Sequence, residues 1–87
     1  MSEPKHDEAL VNSFLERVSA LSVSALDGAD VGKELTQLMK EAGQKCGGGD
    51  LAVLAARLKD RAGAAEREDQ PLVRDTFSNA ATLLATA

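Results

Sequence analysis

Residues 10–25 read LVNSFLERVSALSVSA, and this stretch decides the fold. Its apolar residues recur at spacings of three and four: Leu10, Val11, Phe14, Leu15, Val18, Leu21 and Ala25. That period places them on one face of a helix, whereas in a strand they would fall on both faces. The same spacing returns three more times along the chain, and each segment is bounded by Gly, Asp or Pro. The pattern therefore predicts four amphipathic helices.

Composition supports the same fold class. The chain has 87 residues, enough for one domain, and it contains neither Ile nor Trp nor Tyr. Its apolar residues are mainly Leu, Val and Ala, and Leu and Ala favour helices. Short connections favour antiparallel packing of consecutive helices. We therefore expect residues 1–87 to form a single domain, an all-α fold that is a small antiparallel four-helix bundle.

The boundaries of the helices are read from capping residues and helix breakers. They place the helices at roughly residues 4–26, 31–43, 50–66 and 71–85. The first helix is expected to begin at Pro4 or Lys5. Proline has no N–H, but an N–H in the first turn of a helix would have no partner anyway, so proline is tolerated there. Asp27-Gly28 is a stop signal. Asp30 and Asp50 are predicted N-caps of the second and third helices.

The glycine-rich segment before the third helix is predicted to be a linker. Gly43 is expected to end the second helix, and Gln44–Gly49 is the most flexible stretch. Glycines before a helix can cradle phosphate, but Asp50 places a carboxylate where the anion would bind. Cys46 has no second cysteine to pair with, and Asp50 opposes a lowered thiol pKa, so we expect a passive thiol.

Charge and the scarcity of reactive residues argue against several functions. The net charge of −4 argues against nucleic-acid binding, which relies on surplus Lys and Arg. No segment is apolar enough to span a bilayer, and no basic, aromatic-bearing helix suits a membrane surface. His6, the single histidine, is expected to be an ordinary exposed residue, and we expect no cofactor and no metal site.

Spare apolar surface on the last two helices is the feature that points to a function. Small residues beyond one stripe would let another helix dock closely, so a protein interface is predicted there. Its predicted residues are Ala52, Val53, Ala56, Arg57, Ala81 and Ala85. The expected function is a non-enzymatic, cytoplasmic protein-interaction module, of the adaptor, chaperone-like or inhibitor type, that binds a protein partner or itself as a homodimer.

Two alternatives stay open. In the first, the chain is a structural subunit of a homo-oligomer whose alanine-rich faces build the assembly. In the second, it is a small all-helical enzyme, although no arrangement of nucleophile, base and acid is recognisable in the sequence. Alanines are also tolerated anywhere on a helix without needing a partner.

Overall fold

The computed structural model of this chain describes residues 6–86. Its four helices are α1 (Glu8–Leu26), α2 (Gly32–Lys45), α3 (Gly48–Arg67) and α4 (Pro71–Thr86). No strand occurs among the described residues, and the helices enclose one apolar core. The predicted all-α four-helix bundle is confirmed.

α1 begins later than predicted. Its first residue is Glu8, because Asp7 is the N-cap: its backbone is extended and its carboxylate accepts a hydrogen bond from the N–H of Leu10 at 3.1 Å. The predicted start at Pro4 or Lys5 falls on residues outside those described. Within residues 6–86, the helical backbone does not extend before Glu8.

The predicted stop of α1 at Asp27-Gly28 is confirmed. Gly28 takes the left-handed conformation with φ +92°, and its N–H donates to the carbonyl of Ala25 at 3.0 Å. The N–H of Ala29 donates to the carbonyl of Ser24 at 3.1 Å. Two carbonyls that the helix leaves unpaired are thus satisfied by the turn that follows it.

The connection between α2 and α3 is much shorter than the predicted linker. Gly43 does not end α2, which continues to Lys45, and only Cys46 and Gly47 separate the two helices. Gly47 is the N-cap of α3, and Asp50 is the third helical residue. The carboxylate of Asp50 accepts the N–H of Gly47 at 3.1 Å, so it supports the cap from inside the helix.

The predicted N-cap of α2 is also displaced by one residue. Val31 occupies the cap position and makes no capping hydrogen bond through its side chain. Asp30 instead accepts the N–H of Gly32 at 3.1 Å, the first residue of the helix. The carboxylate therefore still satisfies a donor at the start of α2, from one position earlier in the chain.

Contacts between named residues define how the helices run. Arg17 on α1 pairs with Glu41 near the end of α2. Leu21, one turn later on α1, lines a hollow with Glu34 earlier in α2, so these helices are antiparallel. Asp7 and Asp50 join the beginnings of α1 and α3, which run in the same direction. α4 packs against all three other helices, whereas α2 and α3 have the least contact of any pair.

The core is built largely from the apolar stripes of the four helices. Its buried residues are Val11, Phe14, Leu15, Val18, Leu35, Leu38, Met39, Ala42, Cys46, Val53, Leu54, Leu58, Phe77, Ala80, Ala81 and Leu84. Phe14 and Phe77, the two aromatic residues, are both inside. Burial of these stripes supplies the main favourable free energy of folding.

Candidate functional site

The structure divides the six predicted interface residues among three environments. Val53 and Ala81 are buried in the core, with only 5% and 6% of their surfaces exposed. Ala52, Ala56 and Ala85 are exposed on the outer faces of α3 and α4. Arg57 is half-buried and contacts the beginning of α1. The six residues therefore do not form one surface.

The prediction that Val53 lies outside the core is wrong. Val53 and its neighbour Leu54 are both buried, so the buried side of α3 near its beginning is wider than a single stripe. Ala81 is buried because α3 packs closely against α4. Neither residue can be changed to test an interface without also disturbing the core.

A shallow groove runs between α3 and α4 and includes two of the predicted residues, Ala81 and Ala85. It has a volume of about 400 Å³. The residues that line this α3–α4 groove are Ala55, Lys59, Ala62, Ser78, Ala81, Thr82, Ala85 and Thr86. None of the four residues predicted on α3 lines the groove: Ala52, Val53, Ala56 and Arg57. Their place is taken by Ala55, Lys59 and Ala62.

The chemistry of the α3–α4 groove is unusual for this acidic protein. Seven of its eight lining residues are Ala, Ser or Thr, and Lys59 carries the single charge. Two further alanines of α3 are exposed near the groove. Ala52 precedes Ala55 by three residues, and Ala56 directly follows it. No carboxylate lines the groove, although the chain has 14 acidic residues. The groove therefore offers a small-residue surface with one cation.

A second groove, between α1 and α2, was not predicted from the sequence. It is lined by Arg17, Lys33, Glu34, Gln37, Leu38 and Glu41. Arg17 crosses it: its guanidinium donates to Glu41 at 2.6 Å and also lies 5.5 Å from the centre of the Phe14 ring. Hydrogen bonding to Arg17 lowers the pKa of Glu41. The ion pair of Arg17 with Glu41 already occupies part of this groove, which makes it a weaker candidate for binding.

The other polar cluster lies where α1 begins, beside the first half of α3, and is centred on Glu8. Arg57 donates to both carboxylate oxygens of Glu8, at 2.8 and 2.9 Å, and to Asn12 Oδ1 at 3.0 Å. Asn12 donates in turn to Glu8 at 3.0 Å. The hydrogen bonds from Arg57 and then His6 lower the pKa of Glu8 to about 2. This bidentate pair joins α1 to α3.

Asp50 forms the second half of the same junction. Its carboxylate accepts the N–H of Asp7 at 2.6 Å and that of Gly47 at 3.1 Å. These two backbone donors, Asp7 first, lower the pKa of Asp50. The carboxylate of Asp50 thus holds the N-terminal ends of two helices together. The sequence predicted a capping role for this residue at α3 alone.

His6 is not the exposed residue that the sequence suggested. Only 12% of its side chain is exposed, and Nε2 lies 2.6 Å from Oε1 of Glu8. His6 lies beside Glu8 and near Asp50, and its nearness to Asp50 arises only when α1 packs beside α3, which a local sequence pattern does not show. A hydrogen bond to a carboxylate orients the imidazole, and its place in the Glu8 cluster is structural.

Cys46 is buried in the connection between α2 and α3. Burial raises the pKa of the thiol, and the nearby charges of Asp50 and Asp7 raise it further. Little thiolate is present at neutral pH, which agrees with the predicted passive thiol. Within residues 6–86, no three His, Cys, Asp or Glu side chains come together as metal ligands would.

Comparison with known proteins adds no relative. No protein-family model, curated protein or solved structure matches this chain. Among residues 6–86, none of the helices combines the length and the apolar character that crossing a membrane would require.

Proposed function

We propose that this protein is a non-enzymatic interaction module that binds a helix of another protein chain in the α3–α4 groove. The observation that carries the proposal is the groove itself, which has an alanine, serine and threonine lining interrupted only by Lys59. Adaptor, chaperone-like and inhibitor roles all share this step of binding a partner chain.

Small side chains suit this role for two physical reasons. The distance between packed helices depends on the side chains at the contact, and alanine permits a closer approach than larger side chains do. Alanine also loses no rotamer freedom when a partner covers it, whereas each long side chain costs about 0.5–1.5 kcal/mol on ordering. Ala55, Ala62 and Ala85 therefore offer contact area at low entropic cost.

The reactive side chains of the described region support a binding role over catalysis. His6 is held by Glu8, and Glu8 is held by Arg57. Burial and nearby carboxylates raise the pKa of the Cys46 thiol. Each of these groups lies where helices meet, so we give them a structural role.

The experiment compares two threonines in equivalent local surroundings. Thr82 lies in the groove, Thr36 lies on α2 outside it, and both are exposed with a hydroxyl that donates to the carbonyl four residues earlier. Tagged wild-type, Thr82→Arg and Thr36→Arg proteins are expressed in cells and sized by gel filtration of extracts. We expect a complex larger than the 9.1 kDa chain for wild type and Thr36→Arg, and its loss in Thr82→Arg.

Circular dichroism of the purified variants controls for folding. An exposed substitution away from special contacts changes stability by less than about 0.5 kcal/mol, so both variants should be as helical as wild type. A complex that survives Thr82→Arg, or one that Thr36→Arg disrupts equally, contradicts the assignment of the groove.

A further inference from the structure

The large apolar side chains that remain exposed lie at the ends of two helices. Within residues 6–86 they are Val23, Leu26 and Leu72, with 58%, 52% and 49% of their surfaces exposed. Val23 and Leu26 belong to the last turn of α1, and Leu72 belongs to the first turn of α4. Exposed apolar side chains gathered in one region are typical of a binding surface.

Contacts along α1 and α3 show that these two turns share one end of the bundle. Asp7 contacts Asp50 at the start of both helices, and further along Leu15 and Asp60 line the same hollow. α1 and α3 therefore run side by side in the same direction and end together. α4 begins only three residues after α3 ends, and it packs directly against α1. The first turn of α4 thus lies beside the last turn of α1.

The same end carries the chain's surplus negative charge. We call it the acidic end and define it as residues 23–35 and 64–75. These residues include seven Asp or Glu and three Lys or Arg, whereas the rest of the chain has seven of each. The whole net charge of −4 therefore lies at the acidic end. Its carboxylates are Asp27, Asp30, Glu34, Glu66, Glu68, Asp69 and Asp75, and all seven residues are exposed.

Most of these carboxylates have no cation beside them. Arg74 pairs with its neighbour Asp75. Among residues 6–86, no Lys, Arg or His lies within ion-pair distance of the other six. Elsewhere in the bundle, by contrast, Arg17 holds Glu41. The acidic end therefore combines exposed aliphatic side chains with negative charge that the fold itself does not neutralise.

We propose that the acidic end is a second docking surface and that its occupant is a basic amphipathic helix of another protein. The inference goes beyond the proposed function and does not depend on it, because no residue that lines the α3–α4 groove belongs to the acidic end. Charge complementarity selects this partner: Lys and Arg side chains would meet the six unpaired carboxylates. A second copy of this chain docked through the same surface would instead bring like charges together.

A helix of ordinary length can cross the acidic end. The molecule measures 36 × 27 × 21 Å, and α3 has 20 residues and a length of about 30 Å. The helices therefore run along the longest dimension, and the acidic end is at most 27 × 21 Å across. A partner helix of about 14 residues is about 21 Å long. Its apolar face would cover Leu26 and Leu72, and removal of these leucines from water favours association.

The test uses a fluorescent peptide of about 14 residues, with Leu at helical spacings of three and four and Lys at the other positions. Fluorescence anisotropy gives its Kd for the purified protein at an ionic strength of about 0.15 M. Wild type should bind it. Leu26→Ser with Leu72→Ser should raise the Kd about tenfold, because apolar contact is lost. Glu68→Gln with Asp69→Asn should also raise it about tenfold, because two charges are lost. Asparagine tolerates the left-handed backbone of Asp69, which has φ 58°.

Glu16→Gln with Asp60→Asn is the matched control, since it removes the same two kinds of charge from exposed residues outside the acidic end. This control and Thr82→Arg in the α3–α4 groove should leave the Kd unchanged. A peptide with Ser in place of Leu should bind at least about tenfold more weakly. No binding by wild type overturns the proposal, as do equal losses in the two charge variants or equal binding of the Ser peptide. A loss in Thr82→Arg would place the peptide in the α3–α4 groove and would also overturn it.

Discussion

Replacement of two glycines by alanine should change stability in opposite directions. Gly28 follows α1 with φ +92°, and a Cβ added there would meet no atom within 4 Å. The cost of Gly28→Ala is therefore conformational alone: about 1–2 kcal/mol for an L-residue in the left-handed region. The domain's whole stability is about 4–13 kcal/mol at its length. The midpoint of thermal unfolding should fall by roughly 4–12 °C.

Gly63 in the interior of α3 provides the opposite case. The helix continues through it, and an added Cβ would lie 3.6 Å from Nη1 of Arg67, an ordinary contact at the end of a flexible side chain. Gly63→Ala should stabilise the protein by about 0.8–1 kcal/mol, the difference in helix propensity.

Urea unfolding followed by circular dichroism measures both changes. The two variants should lie on opposite sides of wild type, separated by about 2–3 kcal/mol, the sum of the two effects. Unchanged slopes against urea would show that the compactness of the unfolded state is the same. A Gly28→Ala variant as stable as wild type would refute the described end of α1, and a destabilised Gly63→Ala variant would refute the open packing at that position.

Three further predictions follow from the junction and the core. The pKa of Glu8 is about 2 in the folded protein and 4.5 ordinarily, so its pairing with Arg57 stabilises the fold fully above pH 4.5. This stabilisation is lost as the pH falls through 2. In an acid titration, Glu8→Gln should therefore lose less stability than wild type between pH 4.5 and 2. Val53→Lys should destabilise the fold by more than about 3 kcal/mol, whereas Ala56→Lys on the exposed face should change it by less than about 0.5 kcal/mol, both measured by urea unfolding. Cys46 should react with a thiol reagent at neutral pH at least tenfold more slowly than a free cysteine, and urea should abolish the difference; rapid modification in the folded state would contradict its burial.

The helices could be predicted from the sequence because their signals are local. The apolar period of residues 10–25 and the Asp27-Gly28 stop both act within one or two helical turns, and both appear in the structure. The start of α3 was predicted less well. Gly48 and Gly49 have low helix propensity, yet Asp50 caps them from within the helix and Leu51 anchors them against the core.

The candidate site could be predicted only in outline. The spare small residues of α3 and α4 indicated an interface, but which alanines share a surface depends on how the two helices rotate against each other. Val53 faces inward for that reason, whereas Ala55 and Ala62, which were not predicted, line the groove together with Ala81 and Ala85. The pairing of Glu8 with Arg57 joins residues 49 positions apart, a contact that no local pattern encodes.

The central claim, that the α3–α4 groove is an interface, is tested most directly by a photo-crosslinking residue placed at Thr82 and, as control, at Thr36. After illumination in cells, the account predicts a covalent adduct from position 82 and none from position 36. An adduct of about twice 9.1 kDa would identify a second copy of the chain, and a different mass would identify another protein. Absence of any adduct at position 82, or equal adducts at both positions, would contradict the claim.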